Sequence, residues 1–335
     1  MANGGTISRI DDFSAIPGRF RGGVAAIGNF DGIHRGHQAV LSKALEIAER
    51  ENRPALVLTF EPHPRTVFRP ESPLDRLTPA PVKARILEAL GFDAVVEQEF
   101  SRDFAAIGSG DFARLVLGQG LGIAHAVTGH NFHYGHDREA TPRKLAEDGQ
   151  AVGFGVTCVD AFAGEDGDVV SSTRIRALLA EGEVAVAAGL LGHRHAVEAE
   201  IIGGRRLGRT LGYPTANMAL APETGLRHGI YAVRFRRADG SLHDGVASFG
   251  RRPTVEGDGA PLLETHLFDF AGDLYGEMCG VVFFGFLRSE EKFADLDALT
   301  DQMRQDEQEA RALLGGVRPV SELDRVLNFT PASAD

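Results

Sequence analysis

Two histidines beside three closely spaced glycines form the most informative stretch of this sequence. His34 and His37 follow an apolar segment and a turn that contains Gly28 and Gly32, and Gly36 lies between them. Three residues apart at the start of a helix, both imidazoles can face the same helical turn and donate hydrogen bonds to phosphate oxygens. The free amides and the dipole of a helix N-terminus also favour an anion. The pattern predicts nucleotidyl transfer, in which a phosphate attacks the α-phosphate of a nucleoside triphosphate and pyrophosphate leaves.

Two other interpretations compete for this histidine pair. One is an ordinary strand–turn–helix with two surface histidines, which an isolated H-x-G-H match would favour. The other is a metal site, but no cysteine or third histidine lies nearby to complete a ligand set. Because the apolar strand, the glycines and the helix follow one another in order, phosphate binding is favoured over both.

A second candidate phosphate-binding stretch runs from Gly203 to Asn217 and is rich in glycine and arginine. Glycines allow a backbone loop to wrap a polyphosphate, and arginines complement its charge. The Thr215 hydroxyl and the Asn217 amide oxygen are hard ligands suited to Mg²⁺ or its waters. No G-x-x-x-x-G-K-[ST] motif occurs, and an arginine-bearing surface hairpin is the alternative for such a loop taken alone.

The elements around the first pattern indicate a parallel sheet covered by helices. Short apolar runs alternate with helix-like stretches in the first half of the chain, as expected of strands buried on both faces. The predicted strands are Val24–Ile27, Ala55–Phe60, Ala94–Val96, Ala124–Thr128 and Gly155–Val159, and the predicted helices are Gln38–Arg50, Pro81–Leu90 and Asp111–Leu117. Ligands of such sheets bind at the carboxyl ends of the strands.

The second half of the chain predicts an antiparallel β domain that ends in a helix. A helical stretch from Ser172 to Ala187 precedes the change of pattern, so we place the domain boundary between residues 187 and 188. Alternating apolar segments separated by Gly and Asp turns predict the strands, and apolar positions at helical spacing predict the terminal helix. These strands are Ala199–Ile202, Gly229–Arg236, Gly245–Phe249, Leu262–Phe268 and Val281–Phe286, and the helix is Leu296–Leu314.

Composition narrows the class of partner. The 335 residues carry a net charge of −12, and both halves, divided at Leu190, are net −6 (19 basic and 25 acidic residues, then 16 and 22). Neither half has the basic surface that nucleic-acid binding needs. Two cysteines are too few for a disulfide framework or a cysteine zinc site. No apolar run approaches a membrane span and the first residues are polar, so we expect a cytoplasmic protein.

Four segments of the first half resemble the adenylyltransferase half of the bacterial bifunctional riboflavin kinase/FAD synthetase family. They are GNFDGIHRGH (28–37), LTFEPHP (58–64), DRLTPAPVKARILEALGFDAVV (75–96) and SSTRIR (171–176). The resemblance implies a Rossmann-like nucleotidyltransferase domain in which His34 and His37 act on the ATP phosphates. It further implies ATP or phosphate contacts in the turn and near SSTRIR, and a flavin contact at Asn131. These phosphate-binding residues are Gly28, Asn29, Phe30, Asp31, Gly32, Gly36, Ser172, Thr173 and Arg176.

The second half resembles the riboflavin kinase domain of the same family. The matching segments are LGYPTANM (211–218), GIYAV (229–233), GVASFGRRPT (245–254), LLETHLFDFAGDLYG (262–276) and FFGFLRSEEKF (283–293). The resemblance implies a small antiparallel β-barrel with a C-terminal helix, in which Thr215 and Asn217 hold Mg²⁺. Glu264 would be the general base toward the ribityl hydroxyl of riboflavin. Further implied contacts are Gly208 and Arg209 with phosphate, and Arg288 with the flavin.

We therefore expect a bifunctional enzyme that makes FMN from riboflavin and FAD from FMN, using Mg²⁺ and ATP, with neither nucleic acid nor membrane as a partner. Three alternatives remain open. The segment from Arg138 to Thr141 departs from the family pattern, which keeps alive a kinase with a degenerate adenylyltransferase. The others are a flavin-binding protein without turnover and a fragment of an H-x-G-H aminoacyl-tRNA synthetase. A transient homo-oligomer is equally left open.

Overall fold

The chain is built from two units, Met1–Ser171 and Ser172–Asp335. The computed structural model describes residues 6–162, 170–203, 213–254 and 257–330. Helices Ser172–Glu181 and Val184–Leu191 belong by contact to the second unit. The domain boundary between residues 187 and 188 stays a prediction.

A six-stranded parallel sheet forms the first unit, as the alternation of apolar strands and helices predicts. Its central strand is buried along its whole length, which is typical of a strand covered on both faces. The strands are β1 Ser8–Ile10, β2 Val24–Ile27, β3 Ala55–Glu61, β4 Ala94–Glu99, β5 His125–Gly129 and β6 Gly155–Val159. Their order in the sheet is β1-β4-β3-β2-β5-β6. The strand order reverses between β2 and β5, and ligands of open α/β sheets bind at such a reversal.

Helices cover both faces of this sheet. The long helix after β2 begins at Arg35 and ends before Asn52, which takes the left-handed conformation common at helix C-termini. The helices of this unit are α1 Arg35–Glu51, α2 Pro64–Phe68, α3 Ala80–Leu90, α4 Arg102–Ala105, α5 Ser109–Asp111 and α6 Pro142–Val152. A π-helix spans Phe112–Leu121, and single 3₁₀ turns lie at Phe13–Ala15, Gly18–Phe20 and His136–Arg138. The helix predicted over Asp111–Leu117 is therefore longer and more loosely wound than its sequence pattern indicates.

A closed antiparallel barrel of six strands forms the second unit, which confirms the predicted fold class. Its strands are β7 Ala196–Ile202, β8 Thr215–Ala219, β9 Gly229–Arg236, β10 Leu242–Thr254, β11 Gly257–Leu267 and β12 Met278–Arg288, in the order β10-β11-β8-β7-β12-β9. Its helices are α7 Ser172–Glu181, α8 Val184–Leu191, α9 Leu296–Gly316 and α10 Glu322–Asn328. The predicted single helix from Ser172 to Ala187 is two helices, because Gly182, with a positive φ of 84°, interrupts it.

The last helix docks on the barrel through a buried cation. The Arg194 guanidinium lies 4.3 Å from the ring centroid of Phe284 and 5.2 Å from that of Phe329, and it forms an ion pair with Asp324. Burial lowers the pKa of Arg194, whereas the charge and the hydrogen bond of Asp324 oppose that change. Both partners are buried, so the pair fixes α10 against β12 instead of serving as a surface contact.

Candidate active sites

Residues 28–37, called the histidine turn below, join β2 to the first turn of α1 and place both predicted histidines at the carboxyl edge of the sheet. His34 caps α1, with its Nδ1 accepting a hydrogen bond from the backbone N–H of His37 at 3.2 Å. A ring nitrogen that accepts this bond carries no proton, so the N–H of His34 is at Nε2. The two imidazoles stack with their centroids 3.6 Å apart and their planes 14° apart. The prediction that they face the same turn of helix is confirmed.

His37 is held as a neutral imidazole. Its Nδ1 is buried and makes no hydrogen bond within the described residues, so contact with a ligand is left to Nε2. Burial, and then electrostatic interactions with His34 and Lys83, lower the pKa of His37 well below its usual value. The edge of the His37 ring meets the Phe30 ring at a centroid distance of 5.5 Å. The pair can thus donate hydrogen bonds to phosphate oxygens without depending on protonation.

The three predicted glycines occupy different structural positions in the turn. Gly32 has a φ of 91°, which L side chains rarely adopt. A Cβ at Gly36 would lie 3.2 Å from the Cε1 and Nδ1 atoms of His34, so the stacked histidine occupies the space that a side chain would need. Gly28, the first predicted glycine, donates its N–H to Leu58 in β3 at 3.1 Å.

Asn29, Phe30 and Asp31 have structural positions in the turn. The Asp31 carboxylate is 3% exposed and accepts the backbone N–H of Thr78 at 3.1 Å, which supports a role in shaping the turn. Phe30 is also buried, whereas Asn29 presents its carbonyl to Thr59 and Lys83. Their predicted contact with ATP stays a prediction.

The other residues predicted for adenylyl transfer lie outside the histidine turn. Asn131 is exposed just after β5, at the same edge of the sheet as the histidine turn, because β5 is the parallel neighbour of β2. Ser172, Thr173 and Arg176 lie in the first turns of α7 and belong by contact to the second unit. The roles of these four residues stay predictions.

In the barrel, one sheet face collects the predicted kinase residues. Asn217 in β8 lies directly opposite Glu264 in β11, and Thr215 lies opposite His266. Opposed residues in a β-ladder share a face, as do residues two apart along a strand, so Thr215, Asn217 and Glu264 point to the same side. That side is the wall of a cavity of about 1210 Å³. Glu264 is half-buried and lines this cavity, so it is not an ordinary solvent-facing strand residue.

Asn217 provides an observation that bears on a metal. The side chain is 4% exposed; its amide nitrogen donates to the Thr215 carbonyl at 3.2 Å, while its Oδ1 is buried without a hydrogen-bond partner within the described residues. An unpartnered buried amide oxygen beside a hydroxyl and a carboxylate is the oxygen donor set that Mg²⁺ prefers. The residues present therefore fit a divalent cation shared with substrate phosphates.

Arg288 lies in the wall of the same cavity, where its guanidinium is already held. Its Nε and Nη2 donate to the two carboxylate oxygens of Asp306, each at 2.7 Å, and Asp306 also accepts from Gln302 at 3.0 Å. Those hydrogen bonds, and then the charge of Asp306, raise the pKa of Arg288. A flavin contact of Arg288 stays a prediction, and it would involve an Arg288–Asp306 pair. Gly208 and Arg209 lie outside the described residues.

Sequence reasoning missed a group of four side chains behind the histidine turn, of which two are buried and two half-buried. They are Glu61, Arg76, Thr78 and Lys83, all within segments that carry the family resemblance. Lys83 is 0% exposed, and it lies three and four residues before the buried Ile86 and Leu87 in α3. A lysine in the buried stripe of a helix is rare without a partner, and that signal is visible in the sequence.

Comparisons with known proteins match the two halves of the chain to two different family models. A family model described as FAD synthetase matches residues 17–174, and one described as riboflavin kinase matches residues 191–314. A bifunctional riboflavin kinase/FMN adenylyltransferase of Escherichia coli (strain K12) is 39% identical over 298 residues, covering 89% of this chain and 95% of that protein. The protein of the same description from Pseudomonas fluorescens is 41% identical over 293 residues, covering 88% and 93%.

A solved structure is similar across both units. The crystal structure of a macrolide-efflux protein from Streptococcus pneumoniae matches with a TM-score of 0.77 and 29% identity, covering 91% of this chain and 99% of that one. Within the described residues, no helix of this chain has the length and apolarity that a membrane crossing requires.

Proposed function

The chain belongs to the bifunctional riboflavin kinase/FMN adenylyltransferase family, and on that premise we propose which residues perform each of its two reactions. Members make FMN from riboflavin and ATP, and FAD from FMN and ATP. The observation that supports the assignment is that the histidine turn lies within the segment matched to FAD synthetase, residues 17–174, and the Asn217–Glu264 pair within the segment matched to riboflavin kinase, residues 191–314.

Adenylyl transfer is assigned to the histidine turn. A phosphate oxygen of FMN attacks the α-phosphorus of ATP, and the bond to the β-phosphate oxygen breaks to release pyrophosphate. The Nε2 atoms of His34 and His37 donate to the phosphate oxygens on which negative charge increases. The positive end of the α1 dipole adds to this stabilisation. No protein nucleophile is needed, because the enzyme only positions the reactants and stabilises their charge.

Riboflavin phosphorylation is assigned to the cavity of the barrel. The terminal ribityl hydroxyl attacks the γ-phosphorus of ATP, ADP leaves, and the Glu264 carboxylate accepts the hydroxyl proton. Thr215 and Asn217 hold Mg²⁺, which when bound neutralises phosphate charge. Because Asn217 and Glu264 are direct cross-strand partners, the cation site and the base lie side by side in the cavity wall.

The test is a chromatographic time course of flavins formed from riboflavin, ATP and Mg²⁺ by the purified full chain. We expect FMN first and FAD later. His37→Ala should stop FAD formation and leave FMN formation intact, whereas Glu264→Gln should stop FMN formation and leave FAD formation from supplied FMN intact. His136→Ala and Glu322→Gln are controls, since both side chains are largely exposed.

Three outcomes would contradict the assignment. Loss of both activities in either folded variant would refute the division between two sites. FMN accumulating without FAD in the unmutated protein would indicate a degenerate first unit. Stoichiometric flavin binding without ATP consumption would indicate a flavin-binding protein instead of an enzyme.

A further inference from the structure

The histidine turn contains two residues in an unfavourable backbone conformation. Phe30 and Ile33 have φ values of 47° and 40°, in the left-handed region that costs an L-residue about 1–2 kcal/mol. Neither is a glycine, and both are buried, with 3% and 0% of their surface exposed. Such residues persist only where the surrounding structure holds them. The groups that hold this turn therefore determine where its side chains lie.

Lys83 holds the first half of the turn from beneath. Its Nζ donates to the carbonyl oxygen of Asn29 at 2.9 Å, to Thr59 Oγ1 at 2.8 Å and to Glu61 Oε1 at 3.1 Å. Thr59 Oγ1 in turn donates to the same Asn29 carbonyl at 3.1 Å. The carbonyl next to Phe30 is thus fixed by two donors, both of which are fully buried.

Thr78 and Arg76 hold the second half. Thr78 Oγ1 accepts the N–H of Gly32 at 2.8 Å, and the Thr78 N–H donates to the Asp31 carboxylate. Arg76 lies 3.6 Å from the same carboxylate and donates to both oxygens of Glu61 at 2.7 Å. Glu61 therefore connects the two supports of the turn, because it accepts hydrogen bonds from both Lys83 and Arg76.

The charged side chains Glu61, Arg76 and Lys83 change one another's pKa values. Burial alone would raise the pKa of Glu61, but the hydrogen bonds from Arg76 and the charges of Lys83 and Arg76 outweigh it and lower the pKa to about 2. Burial lowers the pKa of Lys83, and the Glu61 carboxylate opposes that change. Where a buried ion pair only fills space, apolar side chains of similar volume are often at least as stabilising. A buried lysine that holds a backbone carbonyl has a function that methionine cannot replace.

We propose that Lys83 is a positioning residue for adenylyl transfer: it fixes the Asn29 carbonyl, and through it the Phe30 ring that supports the His37 imidazole. This inference rests on the proposed role of His37. The Phe30 ring meets His37 edge-on, and His37 stacks on His34, so a displaced turn displaces both phosphate donors. A misplacement of about 1 Å can reduce a rate about 100-fold.

The decisive variant is Lys83→Met, which keeps an unbranched side chain only one atom shorter and removes the ammonium. We expect the kcat of FAD formation from FMN to fall about 10- to 100-fold while the KM for ATP changes less than about threefold, because the turn is displaced but not lost. The rate of FMN formation should stay unchanged. Arg9→Met is the matched control, since Arg9 pairs with the buried Glu97 on the same sheet but contacts none of the turn.

Two further measurements keep the test decisive if Lys83→Met does not fold. Thr59→Val is nearly isosteric and removes both the other donor to the Asn29 carbonyl and one acceptor of Lys83, so it should lower the same kcat about 3- to 10-fold. The ring-proton NMR resonances of His37 report its stacking directly. They should move toward those of an unstacked imidazole in the Lys83 or Thr59 variant and stay in place in Arg9→Met.

The failure of this inference can be told apart from failure of the proposed function. If His37→Ala abolishes FAD formation but folded Lys83→Met and Thr59→Val keep the unmutated kcat and His37 resonances, Lys83 is not a positioning residue. If kcat and KM worsen together without a change in those resonances, its role is only structural. If His37→Ala itself makes FAD at the normal rate, the proposed adenylyl-transfer site is wrong, and this inference with it.

Discussion

Replacing Gly36 by alanine separates the stability of the first unit from its chemistry. A Cβ at Gly36 would lie 3.2 Å from two atoms of the His34 ring, where carbon contacts prefer about 3.5–4.0 Å. The ring cannot easily yield, because it stacks on His37 at 3.6 Å and its Nδ1 is bonded to the His37 amide. We expect the ring to shift by about 0.3–0.8 Å and to loosen the helix cap.

The two effects on stability nearly cancel. Alanine in place of glycine within a helix raises the free energy of unfolding by up to about 1 kcal/mol, whereas a weakened helix cap lowers it by about 0.5–2 kcal/mol. The free energy of unfolding of Gly36→Ala should therefore stay within about 1 kcal/mol of the unmutated value. The kcat for FAD formation should fall about 10-fold or more, since one of the two phosphate donors is displaced.

The assay measures FAD formed from FMN and ATP, with FMN formed from riboflavin as the internal reference and urea unfolding followed by circular dichroism. Gly189→Ala is the matched control, because Gly189 lies in α8 and no atom of the described residues lies within 4 Å of its Cβ position. We expect that variant to keep both activities and its free energy of unfolding to rise by up to about 1 kcal/mol. A Gly36→Ala protein with a normal rate of FAD formation would refute the argument that His34 must stay in place.

Other predictions concern single charged or polar groups. Because the folded pKa of Glu61 is about 2 and its usual value is 4.5, its contribution to the unfolding free energy is present above about pH 4.5 and is lost as the pH falls toward 2. Glu61→Gln should therefore weaken the dependence of the unfolding free energy on pH in that range, measured by urea unfolding at a series of pH values. Asp324→Asn leaves Arg194 buried without its charge partner and should cost about 3–5 kcal/mol of unfolding free energy, measured by thermal and urea denaturation. Asn217→Ala should raise the Mg²⁺ concentration needed for half-maximal FMN formation about 10-fold or more and leave FAD formation from FMN unchanged.

The elements with strong periodicity were predictable from the sequence, and they are the ones that carry the histidines. Val24–Ile27 is a buried strand at the predicted bounds, and the helix after it begins three residues before its predicted start at Gln38. Those three residues are polar or glycine, so apolar spacing gives no signal for them; the His34 cap does. The three-residue strand Ser8–Ile10 was missed because a run that short has no periodicity to detect.

The barrel shows where apolar patterns fail. Thr215–Ala219 was not predicted as a strand, because it follows a proline and carries threonine and asparagine. Its pairing with β11 and β7 makes it a strand, and tertiary pairing often overrides a weak local preference. The support of the histidine turn was missed for a related reason. Lys83 contacts groups 22, 24 and 54 residues away, and no local pattern encodes contacts at such separations.

The cross-strand pairing of Asn217 with Glu264 has a consequence for motion. Directly opposed residues in an antiparallel ladder have Cα atoms about 4.5–5.5 Å apart, and the ladder on either side fixes that separation. The proposed cation ligand and the proposed base, placed in this way, need no rearrangement when the substrates arrive, so the kinase reaction is expected to carry little reorganisation energy from the protein. Movements that control this reaction must then come from the segments around the cavity. Slow steps in FMN formation should consequently respond to changes in those segments and to product release, and not to substitutions that stiffen the barrel.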